Sequence, residues 1–483
     1  MGENRDMVTK ISKLIRSTDD LMALIRNGSP MTRGEKMRLA AWLSMPSMLA
    51  QLSTIVMEYI DAAMVGSLGA EASAAIGLVS TTIWLMGGLC SACATGFYVQ
   101  VAHCIGAKDF DGARAVLRQS IVAVLTVGIA LMLIGIAISH NLPIWLGGDQ
   151  NICTNASLYF LIVSISLPII QLNMLAGGML RSSGNMHVPS MLNVLMCFLD
   201  VVFNLLLIFP TRTIALGNIE LTLPGAGMGI VGAALGTLIA IAISASLMLW
   251  FLFCKSEMLS LKGTVGRFRP QKNTIIKALK ISLPMSVEHT IFCGAQIVIT
   301  IIVAPLGTAA IAANAFGIIV ESLCYMPGYG IGESATTLVG QSLGAGREQL
   351  ARSFARITVG MGMGVMTMMG IVMYATAPWV MQFMTPDLTV QSLTVSALRI
   401  EAFAEPMFAA SIVAYGVFVG AGDTLMPCVM NLISIWGVRI VLSALLVGRM
   451  GLNGVWIAMC IELCFRGVIF LVRLAGKKWS RKR

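Results

Sequence analysis

HCIGAKDFDGAR, residues 103–114, and QSLGAGREQLAR, residues 341–352, are two versions of one loop set 238 residues apart. Each follows a long apolar run and leads into another. The match continues outward at the same offset. SLGAEASAAIG at 67–77 meets PLGTAAIAANA at 305–315, and SMPSM at 44–48 meets SLPMS at 282–286, aligning Pro46 with Pro284. Further on, Pro168 meets Pro406, Gly184 meets Gly422, Pro189 meets Pro427 and Asn193 meets Asn431. Beyond Asn193 the register shifts, and MGIVGAALGT at 228–237 meets MGLNGVWIAM at 450–459 at an offset of 222. The first copy therefore holds about 16 extra residues, around TRTIALGNIELTLPG at 211–225.

The runs joined by these loops belong in a membrane. Hydrophobic residues make up 57% of the 483 and charged residues 12%, against about a quarter charged in a soluble protein. Mean hydropathy is +0.84. Twelve spans are predicted, over 39–65, 70–101, 114–140, 153–178, 188–210, 228–254, 278–304, 308–340, 352–380, 390–416, 425–447 and 452–474, each near or above the roughly 20 residues that cross a bilayer. Each copy of the repeat holds six. An even number gives both copies the same orientation, so the predicted fold is all-α, two six-helix bundles related by an axis along the membrane normal around a central cavity. The domains read as a basic segment at 1–38, an N-terminal lobe at 39–254, a linker at 255–277, a C-terminal lobe at 278–474 and a basic tail at 475–483.

A net charge of +10 raises the question of nucleic acid, but its placement answers otherwise. Segments 1–38, 102–118, 179–187, 255–280, 341–356 and 473–483 hold 28 of the 33 Lys and Arg; the rest are Arg212, Arg399, Arg439, Arg449 and Arg466. This is the positive-inside bias, predicting a multi-pass protein of the plasma (inner) membrane with both termini cytoplasmic. The basic flanks are expected to meet anionic headgroups, with membrane lipid rather than nucleic acid as partner and a monomer as the working state. A basic, mixed segment stands before the first span where a signal peptide would have its apolar core. Residues 7–26 put Ile11, Leu14, Ile15, Leu21, Met22 and Ile25 near helical spacing with Lys10, Lys13 and Arg16 between them, which suits an interfacial helix or a mobile tail.

The eleven cysteines lie mostly within spans, where they read as small packing residues; Cys90 and Cys93 form a CxxC with no second pair at zinc spacing. His103, His140, His187 and His289 are scattered, and no metal site is expected. The sequence holds no Gly-x-x-x-x-Gly-Lys-Ser/Thr stretch, so phosphate-loop ATP hydrolysis has no support. No catalytic residue and no cofactor are expected, and an ion gradient is left as the driving force.

Two six-span halves, a proline in the first span of each, LGA or LGT after it, and IGA or LGA with basic residues after the second together resemble the multidrug and toxic compound extrusion (MATE) family. PGAGMGIVGAALGT at 224–237 and GVFVGAGDTLMP at 416–427 add to the likeness, which covers about residues 35–475. The resemblance implies an antiporter that expels amphipathic, often cationic compounds in exchange for Na+ or H+.

Charged groups inside spans are costly and mark function by default. EYIDAAMVGSLG at 58–69 places Glu58 and Asp61 on one face of the first span; Asp200 and Asn204 share a face of the fifth, and Thr237 adds a hydroxyl in the sixth. Carboxylate, amide and hydroxyl oxygens suit a hard cation such as Na+, and desolvated carboxylates also hold protons. The repeat supplies an internal control: the counterparts of Asp61, Asp200, Asn204 and Thr237 are Ile299, Val438, Leu442 and Met459. A purely architectural role has little reason to appear in one copy alone. The resemblance agrees, matching the family's first-span Asp to Asp61 and its fifth-span pair to 200 and 204, with Asp then Asn here in place of the Asn then Asp of archaeal members. Asp61, Asp200, Asn204 and Thr237 are the expected cation ligands.

The second half offers Glu288, His289 and Gln296 in the seventh span, Glu321 and Tyr325 in the eighth and Glu405 in the tenth as substrate or coupling candidates, with Glu58 from the first half. The span-7 Glu of the NorM-like branch aligns with Phe292 and its span-10 Asp near Phe408, each one turn beyond Glu288 and Glu405. Glu462 and Arg466, four apart, read as a structural pair, and Arg399 with Glu401 as residues near the outer interface. Two other functions compete. A lipid or lipid-linked-sugar flippase of the same superfamily would favour extra spans and a more basic cavity. An integral-membrane enzyme would need a nucleophile or metal cluster that the chain does not offer.

Overall fold

A computed structural model describes residues 17–216, 219–264, 266 and 268–480. In chain order its elements are α1 (Thr18–Arg26), α2 (Arg33–Gly66), α3 (Ala70–Gly106), α4 (Phe110–Ile138), the short α5 (Leu142–Trp145), α6 (Gln150–Ser182), α7 (His187–Ile208), β1 (Pro210–Leu216), β2 (Ile219–Ala226) and α8 (Gly229–Trp250). The second half follows with α9 (Lys272–Val303), α10 (Thr308–Gly344), α11 (Glu348–Met384), α12 (Leu388–Glu401), α13 (Glu405–Gly420), α14 (Leu425–Leu432) and α15 (Val441–Ala475). The 16-residue insertion is the antiparallel hairpin β1–β2.

Ten helical stretches among the described residues are long and apolar enough to cross a membrane. One of them, Leu425–Ala475, has 51 residues, about 76 Å of helix against a hydrocarbon core of about 30 Å. It breaks at Gly451 (φ 56°, ψ −137°), and a Cβ at Gly454 would lie 2.6 Å from Leu446 O, so the chain doubles back into two passes. Its repeat mate Gly232 sits equally tightly on Leu207. Helices α12 and α13 form one more pass, bent by 61°. Among the described residues the count is then the predicted twelve, six in each half.

The two-fold relation is written in reciprocal contacts. The Gln341 amide on α10 donates to Ser182 O at the end of α6 (2.8 Å), and the His103 ring on α3 meets Gly420 O at the end of α13 (2.8 Å). Residues 103 and 341 are repeat mates, as are 182 and 420. Likewise a Cβ on Gly106 would lie 2.1 Å from Gln341 O, and one on Gly344 2.2 Å from His103 O. A contact of i with j matched by j with i is the signature of a two-fold axis. Both glycines sit at the end of the bundle that carries the basic loops, hereafter the basic face, so the axis runs along the bundle and the repeat is parallel. These bonds use helix-end carbonyls that have no partner within their own helix, and they hold the halves together at the basic face.

Two sequence expectations are corrected here. First, spacing alone puts the apolar residues of the N-terminal segment at a membrane interface or in a mobile tail. Residues 7–16 lie outside the described residues, but from Ser17, which caps α1 in a box with Asp20, the chain is folded onto protein. Leu21, Met22 and Ile25 are buried with Met186, Leu338 and Phe354 from both halves. Arg347 seals the far end of α1, donating from Nη1 to Leu24 O (2.9 Å) and from Nη2 to Ser29 O (2.8 Å). Second, Arg399 and Glu401 do not share an outer interface. Arg399 is exposed, whereas Glu401 is fully buried at the bend between α12 and α13.

Candidate functional site

In the first half, α2, α7 and α8 bring Asp61, Asp200, Asn204 and Thr237 together. Asn204 is the hub: its Nδ2 donates to Asp61 Oδ1 (2.9 Å) and to Asp200 Oδ2 (3.1 Å). Asp200 and Asn204 are each 1% exposed, and Asp200 Oδ1 and Asn204 Oδ1 have no hydrogen-bond partner. Thr237 donates to Ala233 O (3.2 Å) on its own helix and neighbours Asp200. Helix α8 approaches this closely because residue 236 is glycine; a Cβ there would lie 2.1 Å from Asn204 Oδ1. Two carboxylates thus share a single amide donor, with buried oxygens to spare. Two like charges so close in a medium of low polarity repel, and a small cation or a proton between them removes the conflict. Glu58, one turn away and exposed, neighbours Asp61 and lies within electrostatic reach of Tyr325 of the second half.

The second half is built differently. Glu288 on α9 is held at both oxygens: Tyr415 Oη donates to Oε2 (2.9 Å) and Asn431 Nδ2 to Oε1 (2.6 Å). Tyr415 and Asn431, on α13 and α14, were not among the sequence candidates; Asn431 was visible only as the repeat mate of Asn193. His289 joins the halves, its Nε2 3.0 Å from Trp84 O, in a slot kept open by Gly88. Gln296 lies two turns further along α9.

Deeper in this half is a nest of acids. Arg466 pairs with Glu462 through two bonds of 2.8 Å, and Ser434 donates to Glu462 Oε1 (2.5 Å). Glu321, Glu401 and Glu405 are electrostatic neighbours. Glu401 and Glu405 are 0% exposed, and none of their four carboxylate oxygens has a hydrogen-bond partner. Glu401 is the acid that sequence reasoning missed. Tyr325 stacks edge-on against Tyr329 (5.9 Å) and Phe408 (5.4 Å), and Arg466 lies 5.7 Å above Phe408. Arg181 and Glu333 (3.7 Å) form an ion pair between the halves.

A pair of parallel six-pass repeats with acids buried inside has the build of a secondary transporter. Comparison with known proteins gives the family. A family model described as MatE matches residues 46–206 and again 284–445, one match in each half. A relative from Thermotoga maritima, named as a probable multidrug resistance protein NorM, is 24% identical over 442 residues, covering 91% of this chain and 92% of its own. Among solved structures, an outward-facing multidrug resistance MATE transporter superposes with a TM-score of 0.85 at 20% identity, covering 95% of this chain and 98% of its own. A transporter of the MOP superfamily from Pyrococcus furiosus superposes with a TM-score of 0.83 at 20% identity, with the same coverage. The chain belongs to the MatE family, the multidrug and toxic compound extrusion transporters. That is a family of membrane transporters, not of enzymes.

Proposed function

We propose that the protein is a cation-coupled antiporter that exports amphipathic, often cationic compounds, driven by Na+ or H+. The observation that carries this reading is the Asp61–Asn204–Asp200 cluster with its two unpartnered buried oxygens. An ion entering the cluster neutralises the carboxylates and draws α2, α7 and α8 together. A compound bound between the halves, near Glu58, Tyr325 and Glu288, meets a different arrangement of α2. Each ligand then favours its own state, and the two weaken each other reciprocally. The multidrug resistance name of the Thermotoga relative supports the same class of substrate. The excess of acids over bases inside the halves favours cationic cargo over the anionic head of a flipped lipid. The basic face is assigned to the cytoplasm, the membrane to the plasma (inner) membrane, and the halves, joined through 255–277, act as two units within a monomer.

The experiment is flux in proteoliposomes with Na+ and pH gradients imposed separately. Efflux of a fluorescent cationic dye driven by one of the gradients, with the ion moving the opposite way, is the expected result. Dye movement indifferent to both gradients would overturn the reading.

A further inference from the structure

A cleft of about 940 Å3 lies at the basic face where α2 of the first half meets α11 of the second. Its rim carries Arg33 and Lys36 from α2 and Arg352 and Arg356 from α11. Glu348, next in sequence to the lining residue Gln349, pairs with Arg352 at 3.2 Å. Glu35 is occupied in capping α2, accepting from Thr32 N (2.8 Å) and Thr32 Oγ1 (3.0 Å). Lys36 Nζ bridges the halves by donating to Ser353 Oγ (3.1 Å). Arg33 and Arg356 are exposed and form no ion pair among the described residues. The charge left over is positive on both walls.

Away from the rim the cleft turns apolar. Met37, Ile357 and Met361 line it, and Gly360 leaves its floor open, with nothing within 4 Å of where a Cβ would stand. Both helices start at the basic face, so cations and apolar groups are ordered by depth. From Arg356 to Met361 the helix rises by about 7.5 Å, roughly half of one leaflet's hydrocarbon. Cations above and an open apolar channel below match a molecule with an anionic head and acyl chains. A free phosphate would leave the lower half unused, and a cationic substrate would be repelled at the rim.

We propose that this cleft binds an anionic phospholipid of the leaflet at the basic face. Its phosphate sits between Arg33, Lys36 and Arg356, and an acyl chain lies along Met37, Ile357 and Met361. One wall comes from each half, so the lipid bridges them and stabilises the arrangement in which the basic face is closed. Neither the coupling ion nor the exported compound enters this inference.

The test uses the full chain in neutral detergent, titrated with palmitoyl-oleoyl phosphatidylglycerol, with phosphatidylcholine of the same chains, and with soluble glycerol phosphate. The readouts are the thermal midpoint and lipid retained in native mass spectra. Phosphatidylglycerol is expected to raise the midpoint and remain bound, and the other two to do neither. In Arg33→Gln/Arg356→Gln the apparent affinity should fall about 30-fold, as expected for two lost cation contacts near a membrane surface. Both side chains are exposed, so the variant keeps its core, and its midpoint without lipid checks this. The proposal is overturned if the variant responds like the wild type, if phosphatidylcholine performs equally, or if glycerol phosphate alone reproduces the shift.

Discussion

The two halves share a scaffold and differ in what they hold. In the first, Asn204 divides one amide between two aspartates, and oxygens remain free. In the second, the matching first helix carries a single acid, Glu288, which receives a donor at each oxygen, and the free oxygens belong instead to Glu401 and Glu405 at the bend between α12 and α13. One repeat pair shows how the difference arises. Asn193 donates to Ala50 O (3.2 Å) and Thr54 Oγ1 (3.0 Å) on the first helix of its half. Its mate Asn431 donates to Glu288, which stands where the first half has Ala50. The repeat places an amide donor against the first helix, and two positions opposite, Ala50 and Thr54 in one half and Glu288 and Phe292 in the other, decide whether it serves a carbonyl and a hydroxyl or an acid. Fold and chemistry separate within one chain. An under-supplied acid cluster is suited to take up and release an ion, and a fully supplied one to hold its shape.

That contrast can be broken at several points. Asp61→Asn should abolish gradient-driven export while the protein still reaches the membrane, and drug affinity should lose its dependence on the coupling ion. Export at the wild-type rate with normal expression would remove the first-half cluster from the mechanism. Arg466→Met strands the buried Glu462 and should cost about 3–5 kcal/mol of stability, read as a lowered melting temperature; Glu462→Met/Arg466→Met should recover most of it. A single variant as stable as the double would mean that the pair is not buried as described. Gly236→Ala pushes a methyl toward Asn204 Oδ1 and should weaken the coupling ion about tenfold or more, measured as the ion concentration for half-maximal export. Glu288→Gln keeps an oxygen for the Asn431 amide and reverses the Tyr415 contact, its Nε2 donating to the phenol oxygen, so a few-fold change in drug KM with kcat preserved is expected. A loss as deep as that of Asp61→Asn would erase the distinction between the halves. Deleting 211–225, which the second half lacks, should leave export unchanged.

The features legible in advance were those encoded by local pattern or by comparing the chain with itself. The twelve spans follow from apolar length. The first-half cluster follows from Asp200 and Asn204 at i and i+4 and from their replacement by Val438 and Leu442 in the second copy. Glu462 with Arg466 followed from the same spacing rule. What escaped depends on helix phase across distant segments. Tyr415 and Asn431 meet Glu288 from more than 120 residues away, and no local rule sets that rotation. Glu401 was misplaced because the bend after it was not read. A signal existed: Pro406 sits in the first turn of α13, the position proline favours at a helix start. Helix α1 was misjudged because amphipathic spacing alone does not tell a lipid surface from a protein one.

Helix α1 also sets a timetable for biosynthesis. It leaves the ribosome well ahead of its partners: Arg347, which closes its end, and Leu338 and Phe354, which cover part of its apolar face, are made more than 300 residues later. At about 5–20 residues per second that is a wait of roughly 15 to 60 seconds. During it Leu21, Met22 and Ile25 have only the first-half part of their seat, Leu39, Leu43 and Met186, and the seat is completed late in assembly. A chain stopped before the eighth pass leaves this helix half covered and its end unsealed, a ready mark by which quality control can tell an unfinished copy from a finished one.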